Sequence, residues 1–196
     1  MTQGRTARAG GRGQAARAAL LLALLAGAGP AAGAERAVEA RVTKRYPIAG
    51  HGVLVIDVPA SWKDQVVPAP NNLTIIFAAG SAGSSSIALN LMQNPSLPKG
   101  FNSAENIRVA LSGVANRMAL ASNATKPGLE SIRGTSGAGY YFSTRFHAMR
   151  SGDLTNLTQG QLGLIDMLLT FNVFSQDPDT LRDAVTMVRE ARWSDR

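Results

Sequence analysis

The sequence predicts an α+β fold in which a mainly antiparallel β-sheet is covered by a central helix and a C-terminal helix. Three observations carry this expectation. Runs of β-branched and aromatic residues bounded by Pro, Gly and Asn recur in both halves of the chain, the mark of strands joined by turns. Between them, residues 103–121 place Ile107, Leu111, Val114 and Met118 at spacings of four, three and four, the period of a helix with one buried stripe. A last helical stretch opens at Asp177-Pro178, an N-cap followed by proline at the first helical position. Strands grouped apart from helices belong to the α+β class, since no βαβ alternation is present.

Ahead of the domain, Arg5, Arg8, Arg12 and Arg17 precede an apolar stretch at 18–26 and small residues ending Ala32-Gly33-Ala34. These are the three regions of a secretory signal peptide, residues 1–34, with cleavage expected after Ala34. The apolar stretch is about half of the roughly 20 residues a helix needs to cross a bilayer, so the mature chain is not expected to span a membrane. No cysteine is present to carry a lipid, and no twin-arginine pair occurs. The general secretory route is the simplest reading. The Arg- and Ala-rich style suggests a bacterium and a periplasmic product, with secretion as the alternative.

Residues 35–47 are charged and lack apolar periodicity, and read as a flexible lead-in. The domain is expected at 48–196. Its first strand, 53–58, is stopped by Pro59 and followed by the turn Pro59-Ala60-Ser61-Trp62. A Pro- and Asn-rich connection at 67–72 leads to a strand at 73–78, and a Gly/Ser loop at 80–85 leads to a strand at 86–92. In the latter, Ile87, Leu89 and Leu91 alternate with Ala88, Asn90 and Met92, a half-buried antiparallel pattern. The central helix opens with Asn102 and Glu105 in the spacing of a capping box. A short strand at 130–134, a glycine-rich turn at 134–139 and a strand at 140–149 follow. In that last strand Tyr140, Phe142, Thr144 and Phe146 are expected to face the core, and Tyr141, Ser143, Arg145 and His147 to face water. After a turn at 151–153 come a strand at 156–161 and a long apolar strand at 162–174 with a break at Gly163. Leu181, Ala184, Val185 and Val188 form the buried stripe of the last helix, and Trp193 seals its end.

Charge and composition exclude several function classes. The full chain has 20 basic and 13 acidic residues, but the signal takes four of the basic ones and no acid, leaving a formal charge of +3 scattered over the mature domain. A nucleic-acid binder carries a basic stripe, and only Arg41, Lys44 and Arg45 cluster, in the lead-in. No nucleic-acid partner is expected. The cysteine-free domain has no disulfide and is long enough to bury a core without one.

The candidate chemistry is sparse. His51 and His147 are the chain's two histidines, and no spacing assembles a metal site, so neither metal nor cofactor is expected. Ser84, Ser85 and Ser86 lack the G-x-S-x-G context of a nucleophile elbow. The segment 134–139 lacks the Lys-Ser/Thr ending of a phosphate loop and lies between strands. Asp57 and Asp166 sit inside apolar runs and need partners, for which Arg133 and Arg145 are the expected salt bridges. Tyr141, Arg145 and His147 form the best polar cluster, a phenol, a cation and an imidazole side by side on one strand face. They are the candidate binding residues for an anionic or carbonyl ligand, with the wet side of a half-covered sheet as the plainer reading. No catalytic residue is assigned.

The segment Gly52-Val53-Leu54-Val55-Ile56-Asp57-Val58-Pro59-Ala60-Ser61-Trp62 resembles the strand ending in a Pro-x-x-Trp turn of PsbP-like, Mog1-like and DcrB-like domains. The resemblance runs over about residues 48–193, through the central helix, the Tyr140-Tyr141-Phe142 strand, the Gly152 turn and the final helix ending in Trp193. It implies a PsbP/Mog1-like sandwich and a binding or accessory role, and brings no functional residue to a numbered position. Together these readings describe an exported binding or accessory protein that contacts another protein of the cell envelope, and they lean away from an enzyme. The alternative is a small-molecule carrier or hydrolase with a pocket between the central helix and the sheet.

Overall fold

Period-two alternation of apolar residues underlies the central strands of this fold, and the positions of proline and glycine decide where the strands turn. The computed structural model describes residues 39–69, 72–79, 85–93, 98–122, 125–147 and 154–194, without the side chains of 121, 122, 146, 147, 154 and 155. Residues 1–34, expected from the sequence to be a signal peptide, lie outside the described residues. The elements are β1 (Arg41–Ile48), β2 (Gly52–Pro59), β3 (Lys63–Ala69), β4 (Asn72–Ala79), β5 (Ser85–Met92), α1 (Ala104–Ser122), β6 (Glu130–Arg133), β7 (Ala138–His147), β8 (Leu154–Gly163), β9 (Leu168–Ser175), α2 (Pro178–Glu190) and β10 (Arg192–Ser194). They form a three-stranded sheet in the order β1-β2-β10 and a seven-stranded sheet in the order β3-β4-β5-β9-β8-β7-β6. All neighbours pair antiparallel. This is the α+β sandwich that the sequence predicts.

The large sheet is covered differently on its two faces. On one face Ile75, Phe77, Ile87, Leu89, Leu91, Leu169, Phe171 and Val173 join Leu54, Ile56 and Val58 of the small sheet and Ala184, Met187 and Val188 of α2 in the main core. On the other face Ile107, Leu111 and Ala115 of α1 pack with Phe142 and Leu168. Burial of this apolar area, at about 25 cal/mol per Å², is the main force holding the layers. Trp62 closes the turn after β2, where its N–H donates to Pro59 O at 3.0 Å, and its ring tilts against Phe77 with centroids 6.4 Å apart.

Several elements differ from expectation for identifiable reasons. The segment read as a flexible lead-in, 35–47, contains most of β1, which pairs along its whole length with β2. Tyr46 and Ile48 are 6% and 8% exposed, and the other face of this edge strand is polar, so its alternation is short. β3 arises from the stretch read as a connection, and every residue in it is exposed. It is the edge of the large sheet, and Lys63, Asp64 and Pro68 are residues that discourage further strand pairing. The apolar run 162–174 is two strands: Leu164 N–H donates to Met167 O at 2.9 Å and folds it into the β8–β9 hairpin. Trp193 belongs to β10, paired with Leu54 of β2.

The cap of α1 moves by one residue. Ser103 Oγ accepts from Asn106 N–H at 3.3 Å, while Asn106 Nδ2 donates to Gly100 O at 2.8 Å. Asn102, expected as the cap, instead donates to the carbonyls of Leu164 and Met167 and ties the start of α1 to the β8–β9 turn. Glu105, freed from a capping role, pairs with Arg108 at 2.8 Å. α2 begins as predicted: Asp177 accepts from the N–H groups of Asp179 and Thr180 with Pro178 in the first turn.

Candidate functional site

The register of the large sheet builds the candidate site. On the face that carries the main core, β8 and β7 continue the rows of β9. Leu169 stands opposite Leu162, Phe171 opposite Gly160 and then Tyr141, Val173 opposite Thr158 and then Ser143, Ser175 opposite Asn156 and then Arg145. Apolar rows thus give way to polar ones toward one end of β7. Both faces of β7 are used: Phe142 is buried against α1, whereas Tyr141 packs on the main core. The expectation that the Tyr140/Phe142 face alone meets the core is therefore corrected, because the larger core lies on the Tyr141 face.

Gly160 makes this packing possible. A Cβ there would enter the ring of Phe171 and approach Tyr141 Cβ to 2.6 Å. The missing side chain lets the Phe171 ring lie across β8 beside Tyr141.

Each polar side chain of the strip is fixed by a cross-strand partner. Tyr141 OH donates to Glu130 Oε2 of β6 at 2.7 Å. Ser143 Oγ and Thr158 Oγ1 share a hydrogen bond of 2.8 Å, and Arg145 Nε donates to Asn156 Oδ1 at 3.1 Å. Burial, followed by the Glu130 hydrogen bond and charge, pushes the Tyr141 phenol up to about 12, and the Arg189 guanidinium of α2 opposes that rise. The phenol is accordingly a neutral donor at physiological pH. Ser143 and Arg145 are exposed while Thr158 is 1% exposed, so the strip marks the border of the core.

The three candidate residues are thus placed unequally. Tyr141 and Arg145 share one face as predicted, with Ser143 between them. His147 is the last residue of β7, opposite Leu154, and its side chain lies outside the described residues. Glu130, Asn156 and Thr158, which hold the strip together, are not binding candidates from the sequence; Asn156 and Thr158 stand out there only as part of an Asn-x-Thr triplet. Their role depends on strand register, and the local pattern carries no signal of it.

Other polar groups prove structural. Asp57 accepts from Thr43 Oγ1 at 2.5 Å and pairs with Arg192 Nη2 at 2.9 Å, and Asp166 pairs with His51 Nδ1 at 2.6 Å. These pairs replace the expected partners Arg133 and Arg145. Asp64 bonds to Lys44 and accepts from Tyr46 OH at 2.8 Å. Burial opposes ionisation of Asp64, but those two hydrogen bonds outweigh it and hold the carboxyl below its usual range. Ser85 and Ser175 are buried and share a hydrogen bond of 2.7 Å; Ser84 lies outside the described residues. In the glycine-rich turn Gly134 N–H donates to Gly137 O at 2.8 Å, Thr135 N–H to Arg189 O at 3.1 Å, and Ser136 Oγ accepts from Trp193 N–H at 2.8 Å. The turn docks the end of α2. Among the described residues no group of three or more His, Cys, Asp or Glu is placed to hold a metal ion, and no helix is long and apolar enough to cross a membrane.

No protein-family model and no curated protein matches the sequence. Solved structures do. The solution structure of a cyanobacterial PsbP, CyanoP from Synechocystis sp. PCC 6803, matches with a TM-score of 0.48 and 13% identity, over 81% of this chain and 96% of that one. The Ran-binding protein Mog1p of Saccharomyces cerevisiae matches with a TM-score of 0.43 and 12% identity, over 80% and 97%. A protein of Bacteroides thetaiotaomicron VPI-5482 matches with a TM-score of 0.47 and 11% identity over 72% of this chain, which spans 45% of its length.

Proposed function

We propose that this chain is an exported binding or accessory protein of the periplasm that works by contact with another envelope protein, and that the β7 strip of Tyr141, Ser143 and Arg145 is its contact surface, with His147 at the end of the same strand. The observation that carries the reading is the strip itself: polar side chains held in place by cross-strand bonds, partly open to water, at the border of a rigid core. Prepositioned polar groups bind without a large ordering cost. Export rests on the Arg-rich, apolar and Ala-x-Ala succession of residues 1–34. The alternative pocket between the central helix and the sheet has against it the buried packing of Ile107, Leu111 and Ala115 on Phe142 and Leu168.

The test is affinity capture from envelope extract with residues 35–196, in parallel with the Tyr141→Phe/Arg145→Ala double variant. A protein retained by the native strip and lost by the variant supports the reading. Equal retention by both, or a co-purifying metabolite in place of a protein, overturns it. The N-terminal residue of the protein recovered from the periplasm is expected to be Glu35.

A further inference from the structure

The strip has a chemical polarity that its contact role does not require. Arg145 and Asn156 stand opposite each other on neighbouring strands, and Asn156 Oδ1 takes the Nε–H of the guanidinium at 3.1 Å. That bond fixes the plane of the group and leaves its terminal Nη1/Nη2 edge without a hydrogen-bond partner among the described residues. A guanidinium held by one edge offers the other as a planar fork, the geometry that receives a carboxylate in two parallel bonds. Ser143, one position inward on the same face, is exposed and carries a hydroxyl already aligned by Thr158.

The other end of the strip has the opposite preference. Glu130 accepts from Tyr141 OH and is exposed, so a ligand acid placed there would meet a like charge. Resting on the reading of β7 as a contact surface, we infer that the strip recognises an acidic segment of a partner protein, whose carboxylate is clamped by Arg145 and whose uncharged polar residues pass Ser143 and Tyr141. Asn156 is a positioning residue in this arrangement. It acts through the orientation of Arg145 and need not touch the partner.

The experiment uses fluorescence anisotropy of the mature chain with a labelled glutamate-rich peptide and with its glutamine counterpart. The glutamate peptide is expected to bind more tightly, with affinity falling as salt is raised. Arg145→Ala is expected to weaken it about tenfold, and Arg145→Lys, which keeps the charge but not the fork, by severalfold. Asn156→Ala is expected to weaken it less than Arg145→Ala and to have no further effect in the Arg145→Ala background, which a purely structural residue would not show. Near-UV circular dichroism of each variant confirms the native packing. Equal binding of the two peptides, or unchanged binding by Arg145→Ala, overturns the inference. If an envelope protein is nevertheless captured and depends on Tyr141 rather than Arg145, the contact surface stands and its acidic specificity falls. If the peptide binds through Arg145 but capture yields no partner, the site stands and the accessory role falls.

Discussion

Tyr141 links the candidate site to the pH dependence of stability. Its ordinary value of 10.0 is raised to about 12 in the folded chain, by burial first and by Glu130 second. Between those values the unfolded phenol ionises while the folded one keeps its proton. Stability contributed by this group is therefore fully present below pH 10 and is lost as pH rises toward 12. Tyr46, raised above the usual phenol range by burial and by its bond to Asp64, adds to the same alkaline loss. Urea unfolding measured across this interval is expected to show falling stability, and Tyr141→Phe to reduce the slope while costing about 1 kcal/mol at neutral pH through the lost hydrogen bond. An unchanged slope would mean that the phenol is as solvated in the folded chain as in the unfolded one. Tyr141 and Arg145 were legible as a pair because period two alone puts them on one face. Glu130, Asn156 and Thr158 were not, since pairing across strands is decided by turns and by the shared core.

Elements whose signals are local are legible in the sequence, and those that depend on the rest of the molecule are not. Asp177-Pro178 fixes the start of α2 without reference to any tertiary contact, because the side-chain oxygens satisfy N–H groups that the helix itself cannot. Asp177→Ala is expected to lower stability by about 1 kcal/mol, measured as a shift of the urea midpoint without a change in slope. The bond from Asp177 N–H to Ser175 Oγ uses the backbone and survives the substitution, so the end of β9 is expected to stay in place. In α1 the capping pattern points to Asn102, one residue before the observed cap Ser103. What draws Asn102 away is the β8–β9 turn, where its side-chain amide donates to the carbonyls of Leu164 and Met167. That turn is 62 residues distant along the chain, and no local pattern announces it. β1 and β3 were hidden for another reason. Edge strands bury at most one face, so they need few apolar residues and carry many charged ones.

At the scale of the molecule, the three-stranded sheet joins the two ends of the described chain. β2 is paired on one side by β1 and on the other by β10, so the strand bearing Leu54, Ile56 and Val58 is held by segments from opposite ends. Gly52, at φ 106°, allows the close approach: a Cβ there would stand 2.6 Å from Ser194 O. Lys44 and Tyr46 of β1 also reach across to Asp64 of β3, and Tyr46 meets Phe77 edge-on at 6.4 Å. β1 is thus part of the core although its sequence looks like a tail. A chain beginning at Ala49 should lose several kcal/mol, since it removes two buried side chains and leaves one edge of β2 unpaired. Retained stability in the shorter chain would show that β2 and β10 suffice to cover the large sheet, and that 35–47 is the dispensable lead-in its charge pattern suggests.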